Sequence, residues 1–462
     1  MKKRNRVAFF NLLSTILLQG ISFFTAPLFM RLLGDSGYGV TQIYTTWVAV
    51  LAIVFTLQTQ YTLVNARVEY PEGEQRKYQS SVMSLSLILF AACAGLVLLF
   101  IQPISGLLKL NPFLICLMLV QALGTYGVNF LNNRNIYEFK AGQNMILSLT
   151  ISIVTIVLSV VLILNLPQEL GYYGRISAIA CTYGIIGIPI CIWILMRGKT
   201  FVRPDYWKFC VALAIPAVFY NLSDLILGQS DKVMLQQMMD DATVGQYAAA
   251  LNFGNIMFVL FGALNNSWCP FFFEDKKQGD TEALRGRAAN FLELFTVLAV
   301  GFILLSREVY FVFAGRQYTM GTSLIPVFVT SYFLNFLCTF PINYEYYYKK
   351  TKVVAAVTIS CSIINVGLNY VMIRAVGMAG AAIATATSHG LQLLLHYLYV
   401  RYVLGKKEYP FGIGLWGRYL LAFATMFVCV YLTKDIWLAR WGLGAAIGIW
   451  ELLRIRKRKC LI

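Results

Sequence analysis

Apolar stretches of about twenty residues, parted by short polar or basic breaks, recur along almost the whole chain. Each is long enough to carry an α-helix through roughly 30 Å of hydrocarbon. About fourteen are read, at approximately 8–30, 39–60, 81–101, 112–133, 143–164, 174–196, 209–230, 245–268, 288–306, 322–343, 353–373, 379–404, 411–432 and 437–453. Few folds suit such a chain, because in lipid only helices and closed barrels satisfy their own backbone. The runs are continuously apolar and contain Gly and Pro, whereas barrel strands would alternate. The reading is an all-α polytopic membrane protein. Charged residues make up 13% of the 462, against about 25% in a soluble domain.

Three segments return at one constant offset, 206 residues on. Asp35-Ser-Gly-Tyr-Gly39-Val40 returns as Asp241-Ala-Thr-Val-Gly245-Gln246. Tyr126-Gly-Val-Asn129 returns as Tyr332-Phe-Leu-Asn335, and the stretch from Gly174 to Gly184 as that from Gly380 to Gly390. Internal repeats in a hydrophobic chain mark secondary transporters, whose substrate path lies between the halves. The expected division is an N-terminal lobe at 1–200 (helices 1–6), a C-terminal lobe at 201–405 (helices 7–12), and 406–462 with two extra helices and a basic tail. An even number of helices per half gives equivalent helices the same direction, so the repeat is of the parallel kind.

The net charge of +17 follows topology rather than nucleic-acid binding. With the N-terminus placed in the cytoplasm, most of the 38 Lys and Arg fall on the cytoplasmic side, including Arg197, Lys199, Arg203 and Lys208. The positive-inside rule therefore puts both termini in the cytoplasm. The basic start through Arg6 precedes a run interrupted by Asn11, Gln19 and Thr25, with no cleavage site, and reads as a retained helix. Ten scattered Cys, without a C-x-x-C pair, indicate neither a disulfide framework nor a zinc site.

Motifs for bond-making chemistry are missing. Gly198-Lys199-Thr200 resembles the end of a phosphate-binding loop, but Trp193 stands where the first glycine should be. His389 and His396 form no metal motif and read as polar packing residues. No cofactor, metal ligand set or nucleophile is read, so the chain is not expected to be an enzyme.

Polar residues inside the spans carry the functional reading, since charges in hydrocarbon face a cavity or a partner. Asp224 lies deep in helix 7, after Pro216, and shares a face with Asn221. It is open to binding a coupling cation, carrying a proton, contacting a substrate hydroxyl or making a structural hydrogen bond. Glu293 reads as interfacial. Helix 1 carries the stripe Asn11, Thr15, Gln19, Ser22 and Thr25; helix 2 adds Gln42, Thr45 and Thr46; helix 8 adds Asn252 and Asn255. Neutral amides and hydroxyls suit sugar hydroxyls, and a site for an organic cation would want more carboxylates. Each member could equally be helix–helix glue. Arg31, Arg134, Lys140, Lys232, Lys349 and Lys350 are candidate cations for an anionic headgroup, or else topological anchors. The run Tyr344-Glu345-Tyr346-Tyr347-Tyr348 reads as part of the interfacial aromatic belt.

Several of these segments resemble a known family. Arg31-Leu-Leu-Gly34-Asp35-x-x-Tyr38-Gly39, Asp231-Lys232-Val-Met234-Leu, Val244-Gly245-x-Tyr247-x-x-Ala250, Asn365-x-x-Leu368-Asn369 and Gly377-x-x-Gly380-Ala-Ala-Ile-Ala384 are similar, in this order, to motifs of Wzx-type polysaccharide flippases. These belong to the multidrug/oligosaccharidyl-lipid/polysaccharide exporter superfamily. The resemblance covers most of residues 7–405. It implies translocation of undecaprenyl-diphosphate-linked oligosaccharide units across the bacterial plasma membrane, by alternating access coupled to an ion gradient (Na+ or H+). The implied partners are the lipid-linked oligosaccharide, membrane lipid, a polysaccharide polymerase and chain-length machinery. Competing readings are a multidrug/cation antiporter of the same superfamily, a lipid II flippase and a non-transporting scaffold.

Overall fold

The computed structural model describes residues 3–404, 411, 413–433 and 436–458. Each predicted apolar stretch falls on helix, and no strand occurs among the described residues. In chain order the helices are α1 (Lys3–Thr56), α2 (Leu63–Glu69), α3 (Glu72–Leu99), α4 (Ile101–Leu108), α5 (Pro112–Tyr137), α6 (Ala141–Leu164), α7 (Gly171–Gly198) and α8 (Pro204–Met238). They continue as α9 (Asp241–Gln278), α10 (Thr281–Ala314), α11 (Ile325–Tyr347), α12 (Thr351–Val376), α13 (Met378–Leu398), α14 (Ile413–Leu432) and α15 (Trp437–Arg458).

Among the described residues nine helices are long and apolar enough to cross a membrane, and bent α8 would make ten. α1 holds two predicted stretches on either side of Gly34, and α13 to α15 carry three more. The fourteen predicted spans are consistent with this set, and the chain is an all-α, multi-pass membrane protein. Gly34 breaks α1 with φ 69° and ψ 179°, a backbone conformation open essentially to glycine. α8 bends by 56° between Ser223 and Gly228, two turns beyond Pro216. Several helices outrun their apolar windows, which carries Glu308 and Glu345 onto helix, and Glu451 lies within the last stretch, where the sequence marked only Asp224 and Glu293.

Two compact units are present, residues 1–245 and 246–462. α8 belongs to the first, where it packs against α1 and α3. The contact boundary therefore falls after the start of α9, whereas the repeat boundary near residue 200 rests on sequence equivalence.

Close helix approach shapes the first unit. A Cβ on Gly39 would overlap the carbonyl oxygen of Asp241, and one on Gly245 would overlap that of Asp35. These four residues are the repeat pairs Asp35/Asp241 and Gly39/Gly245, so the contact is reciprocal. α5 and α7 meet in the same manner: Gly124 lies against the Tyr183 carbonyl and Gly127 against that of Gly187. Without a hydrophobic drive between helices in lipid, such small-residue contacts and buried hydrogen bonds supply association. Beside them Thr59 Oγ1 bonds Ser86 Oγ (2.8 Å) and Tyr126 OH (2.7 Å), and Thr62 Oγ1 bonds Tyr78 OH (2.8 Å). This network sits where Leu57 and Gln58 leave α1 in left-handed backbone, at φ 52° and 47°.

The second unit is held by aromatic packing and ion pairs. Phe333 of α11 stacks on Phe295 (6.1 Å) and on Phe423 of α14 (4.6 Å). Arg440 of α15 pairs with Glu308 of α10. Glu293 pairs with Arg454, a residue far along the chain rather than the nearby Arg285 or Arg287. The two additional helices are thus fastened to α10 and α11 by side chains.

Gly39→Ala is expected to destabilise the detergent-solubilised protein by about 1–3 kcal/mol through overpacking, read as a lower thermal transition. Gly20 has open space around it, so Gly20→Ala should be neutral or mildly stabilising; equal effects would refute the close-approach argument. Arg440→Leu leaves half-buried Glu308 without its partner and should cost about 1–3 kcal/mol. Deleting α14 and α15 should lower abundance and stability rather than alter cargo choice, which parallel blotting and glycan profiling would separate.

Candidate functional site

The side chains of Asn11, Thr15, Gln19 and Asp224 lie outside the described residues, so the site is built from the others. Gln42 of α1 and Lys232 of α8 meet: the Lys232 ammonium donates to Gln42 Oε1 at 3.0 Å. Lys232 is buried, and Asp231, also buried, is close enough to act on it electrostatically. Farther along the same pair of helices, Asn221 Nδ2 donates to Gln58 Oε1 at 2.6 Å. Gln58 reaches Asn221 because the chain turns out of α1 at that residue. A polar seam therefore joins α1 and α8 at two separate places, the Gln42–Lys232 contact beside Asp231 and the Gln58–Asn221 contact.

Other members of the sequence stripes behave differently. Ser22 is exposed, and its carbonyl accepts from Thr25 Oγ1 at 3.3 Å, while Thr25 also donates to the Ile21 carbonyl at 2.8 Å. Thr45 and Thr46 both donate to the Gln42 carbonyl at 2.9 Å. Hydroxyls that back-bond within their own helix need no partner across a cavity. Asn252 and Asn255 belong to the second unit, where Asn255 Oδ1 accepts from Tyr332 OH at 2.5 Å.

The candidate cations divide similarly. Arg31 is exposed near the Gly34 break. Arg134 is buried and donates to Glu138 from Nε at 2.7 Å and Nη2 at 3.1 Å, while Lys140 Nζ reaches Glu138 Oε2 at 2.5 Å. Partial burial works against ionisation of Glu138, but these hydrogen bonds outweigh it and hold the carboxyl below its ordinary range. Lys349 and Lys350 are exposed on the turn between α11 and α12. That turn copies the one between α5 and α6. Phe139 (φ 60°) matches Lys349 (φ 58°), and the Lys140 and Lys350 amides donate to the Asn135 and Glu345 carbonyls, both at 2.8 Å. Arg175 lies 3.7 Å over the Phe29 ring and donates to Ser159 Oγ at 2.8 Å.

Neither histidine faces a metal set. His389 Nδ1 is 2.7 Å from Ser331 Oγ, and His396 Nδ1 is 2.8 Å from Glu345 Oε1 in a fully buried pair. Tyr344 is also buried, with the Lys276 ammonium 4.7 Å from its ring centroid. The tyrosine run therefore faces inward in part, with Tyr346 exposed at its side. Among the described residues no three His, Cys, Asp or Glu are grouped to hold a metal ion.

The model of the family described as "Polysaccharide biosynthesis protein" matches residues 6–275. The chain belongs to this family. It is 22% identical over 400 residues to a Haloferax volcanii protein named a probable low-salt glycan biosynthesis flippase, Agl15, covering 82% of this chain and 80% of that one. Its fold is that of the lipid II flippase MurJ in an inward closed conformation, with a TM-score of 0.73 at 15% identity, covering 97% of this chain and 99% of the other. An inward-facing multidrug resistance MATE transporter of the MOP superfamily gives a TM-score of 0.63 at 14% identity, covering 84% and 94%.

Gln42→Leu removes the amide acceptor of buried Lys232 and should lower stability by about 1.5–3 kcal/mol, whereas Gln42→Glu should retain it. Thermal melts of the two variants check this; equal losses would show that the seam tolerates no change of shape and that the hydrogen bond is incidental.

Proposed function

We propose that this chain is a flippase that moves undecaprenyl-diphosphate-linked oligosaccharide repeat units across the bacterial plasma membrane for surface polysaccharide assembly. The observation that carries the reading is the α1–α8 polar seam inside a chain of the polysaccharide biosynthesis family. Amides on two helices present donors and acceptors without a net charge, which matches sugar hydroxyls. Among the described side chains of the seam Lys232 and Asp231 offset one another, and Asp224 is a further carboxylate of α8. Likeness to both a MurJ and a MATE structure supports a moving two-state carrier while leaving the cargo to the side chains.

In this reading the glycan travels through the polar interior and the polyprenyl tail stays in lipid. Substrate and a coupling cation, Na+ or H+, bias exchange between inward-open and outward-open states. Asp224 is the proposed site of ion coupling or of a glycan contact. Basic residues on the cytoplasmic side, with both termini there, orient the carrier. A polymerase and its chain-length partner would take the product on the outer face.

The test is a deletion strain of the native host, with lipid-linked oligosaccharides and surface polymer quantified together. Accumulated undecaprenyl-linked units with lost polymer, restored by the wild-type gene, are expected. Normal polymer with no accumulated lipid, in a host without a second flippase, would sink the reading in favour of drug efflux or a scaffold. In the same strain Asp224→Asn should cut polymer at least about tenfold at unchanged protein abundance if it loses one charge-assisted contact. Full complementation would remove Asp224 from the mechanism.

A further inference from the structure

At the α5–α6 turn, against the last turns of α7, the first unit carries an open cavity of about 510 Å³. Its lining divides into two parts. Leu131, Leu147 and Ile190 form an apolar wall, and Arg134, Lys140 and Arg197 form a cationic rim. Trp193 joins them, exposed on the cavity, with the Arg134 guanidinium 5.0 Å and that of Arg197 5.1 Å from its ring centroid. Arg76 and Arg134 both act on Arg197 as like charges. Glu138 is the carboxylate among them, and it is already engaged by Arg134 and Lys140.

Three cations against one carboxylate leave an excess of about two positive charges around a space floored with hydrocarbon side chains. Such charges repel one another, so their convergence at one cavity points to an anion there. A phosphodiester supplies a single negative charge, whereas a phosphate monoester carries about −1.5 to −2 and a diphosphate more. Arginine's planar fork suits phosphate oxygens, and the apolar wall suits a chain rather than water. The repeated turn in the second unit keeps the backbone and one of the three cations, Lys350 in place of Lys140, but Tyr344 and Tyr348 stand where Arg134 and Glu138 do. What sets the first-unit turn apart is buried Arg134 held with Arg197 against Trp193, whereas Lys349 and Lys350 of the second turn are exposed.

We propose that this cavity docks the phosphate or diphosphate head of a single-chain polyprenyl lipid, with the chain along Leu131, Leu147 and Ile190. The assignment deepens the flippase reading and rests on it: the pocket receives the carrier lipid on the side that the basic residues mark as cytoplasmic. Trp193 holds Arg134 and Arg197 at fixed spacing, and Glu138 keeps Arg134 and Lys140 extended towards the rim.

The test uses the full chain in nanodiscs of phosphatidylcholine, titrated with undecaprenyl diphosphate and read by native mass spectrometry. Undecaprenol and phosphatidylglycerol serve as comparison lipids. Wild type should bind the diphosphate, undecaprenol should not bind, and inorganic diphosphate should compete. Arg197→Gln and Lys140→Gln alter exposed residues and should each weaken binding about tenfold. Arg134→Lys, which keeps the charge but not the fork, should weaken it less than Arg134→Gln. Equal binding by wild type and by Arg197→Gln and Lys140→Gln would overturn the pocket and leave the flippase reading standing. Equal binding of undecaprenol or of phosphatidylglycerol would overturn recognition of the polyprenyl phosphate. No binding of undecaprenyl diphosphate by wild type would overturn the pocket, while the flippase reading stands or falls separately on the deletion strain. Expression of Arg197→Gln and Lys140→Gln in the deletion strain gives the separate arm, with surface polymer expected to fall.

Discussion

Every backbone amide and carbonyl placed in hydrocarbon must find its partner within its own helix, and this requirement governs where the chain is free to depart from helix. Among the described residues positive φ occurs at helix breaks and ends: at Gly34, the Leu57–Gln58 turn, Lys109, Phe139, Lys199, Gly279, Gly315, Lys349 and Gly377. Several of these departures are matched by polar contacts nearby. Gln58, turned out of α1, bonds Asn221. Phe139 ends α5 so that the Lys140 amide can bond the Asn135 carbonyl. Polar side chains and irregular backbone are thus gathered at the same places.

Close approach supplies what the hydrophobic effect does not supply between helices in lipid. The reciprocal fit of Gly39 to the Asp241 carbonyl and of Gly245 to that of Asp35 is made by corresponding residues of the repeat. Its two halves use the same geometry, so a shift of one helix start against the other strains both contacts at once. The α5–α7 contact has a different consequence. It brings Trp193 and Arg197, at i and i+4 on one face of α7, over Arg134 of α5, and so builds the cationic rim on a rigid base.

Helices were legible in the sequence because continuous apolar runs have only one answer in lipid. Their ends were less so: charged residues such as Glu308 and Glu345 lie on helix beyond the apolar windows, where the aqueous boundary or an ion pair tolerates them. Pairings were the least legible. Glu293 sits near Arg285 and Arg287 in sequence yet pairs with Arg454, since partner choice depends on which helix faces meet. Arg134 and Lys140 were recognisable as cations, but Glu138 between them was not singled out. Trp193 drew notice only as a missing glycine and Arg197 only as a topological charge; their helical spacing was the signal to be read.

That last case bears on how basic residues in membrane proteins are interpreted. An anchoring cation needs only to stay on one side of the bilayer, so it gains by spreading into water away from its neighbours. Lys349 and Lys350 fit that description: they are exposed on a turn whose other positions are aromatic. Arg134 does not. It is buried, paired with Glu138 and set against an indole ring that a second arginine also touches. Burial of a guanidinium costs several kcal/mol unless each donor is used, and orientation across the bilayer demands no such expense. The position of Arg134 is therefore explained by what it faces, and the topology rule accounts only for the side on which it stands.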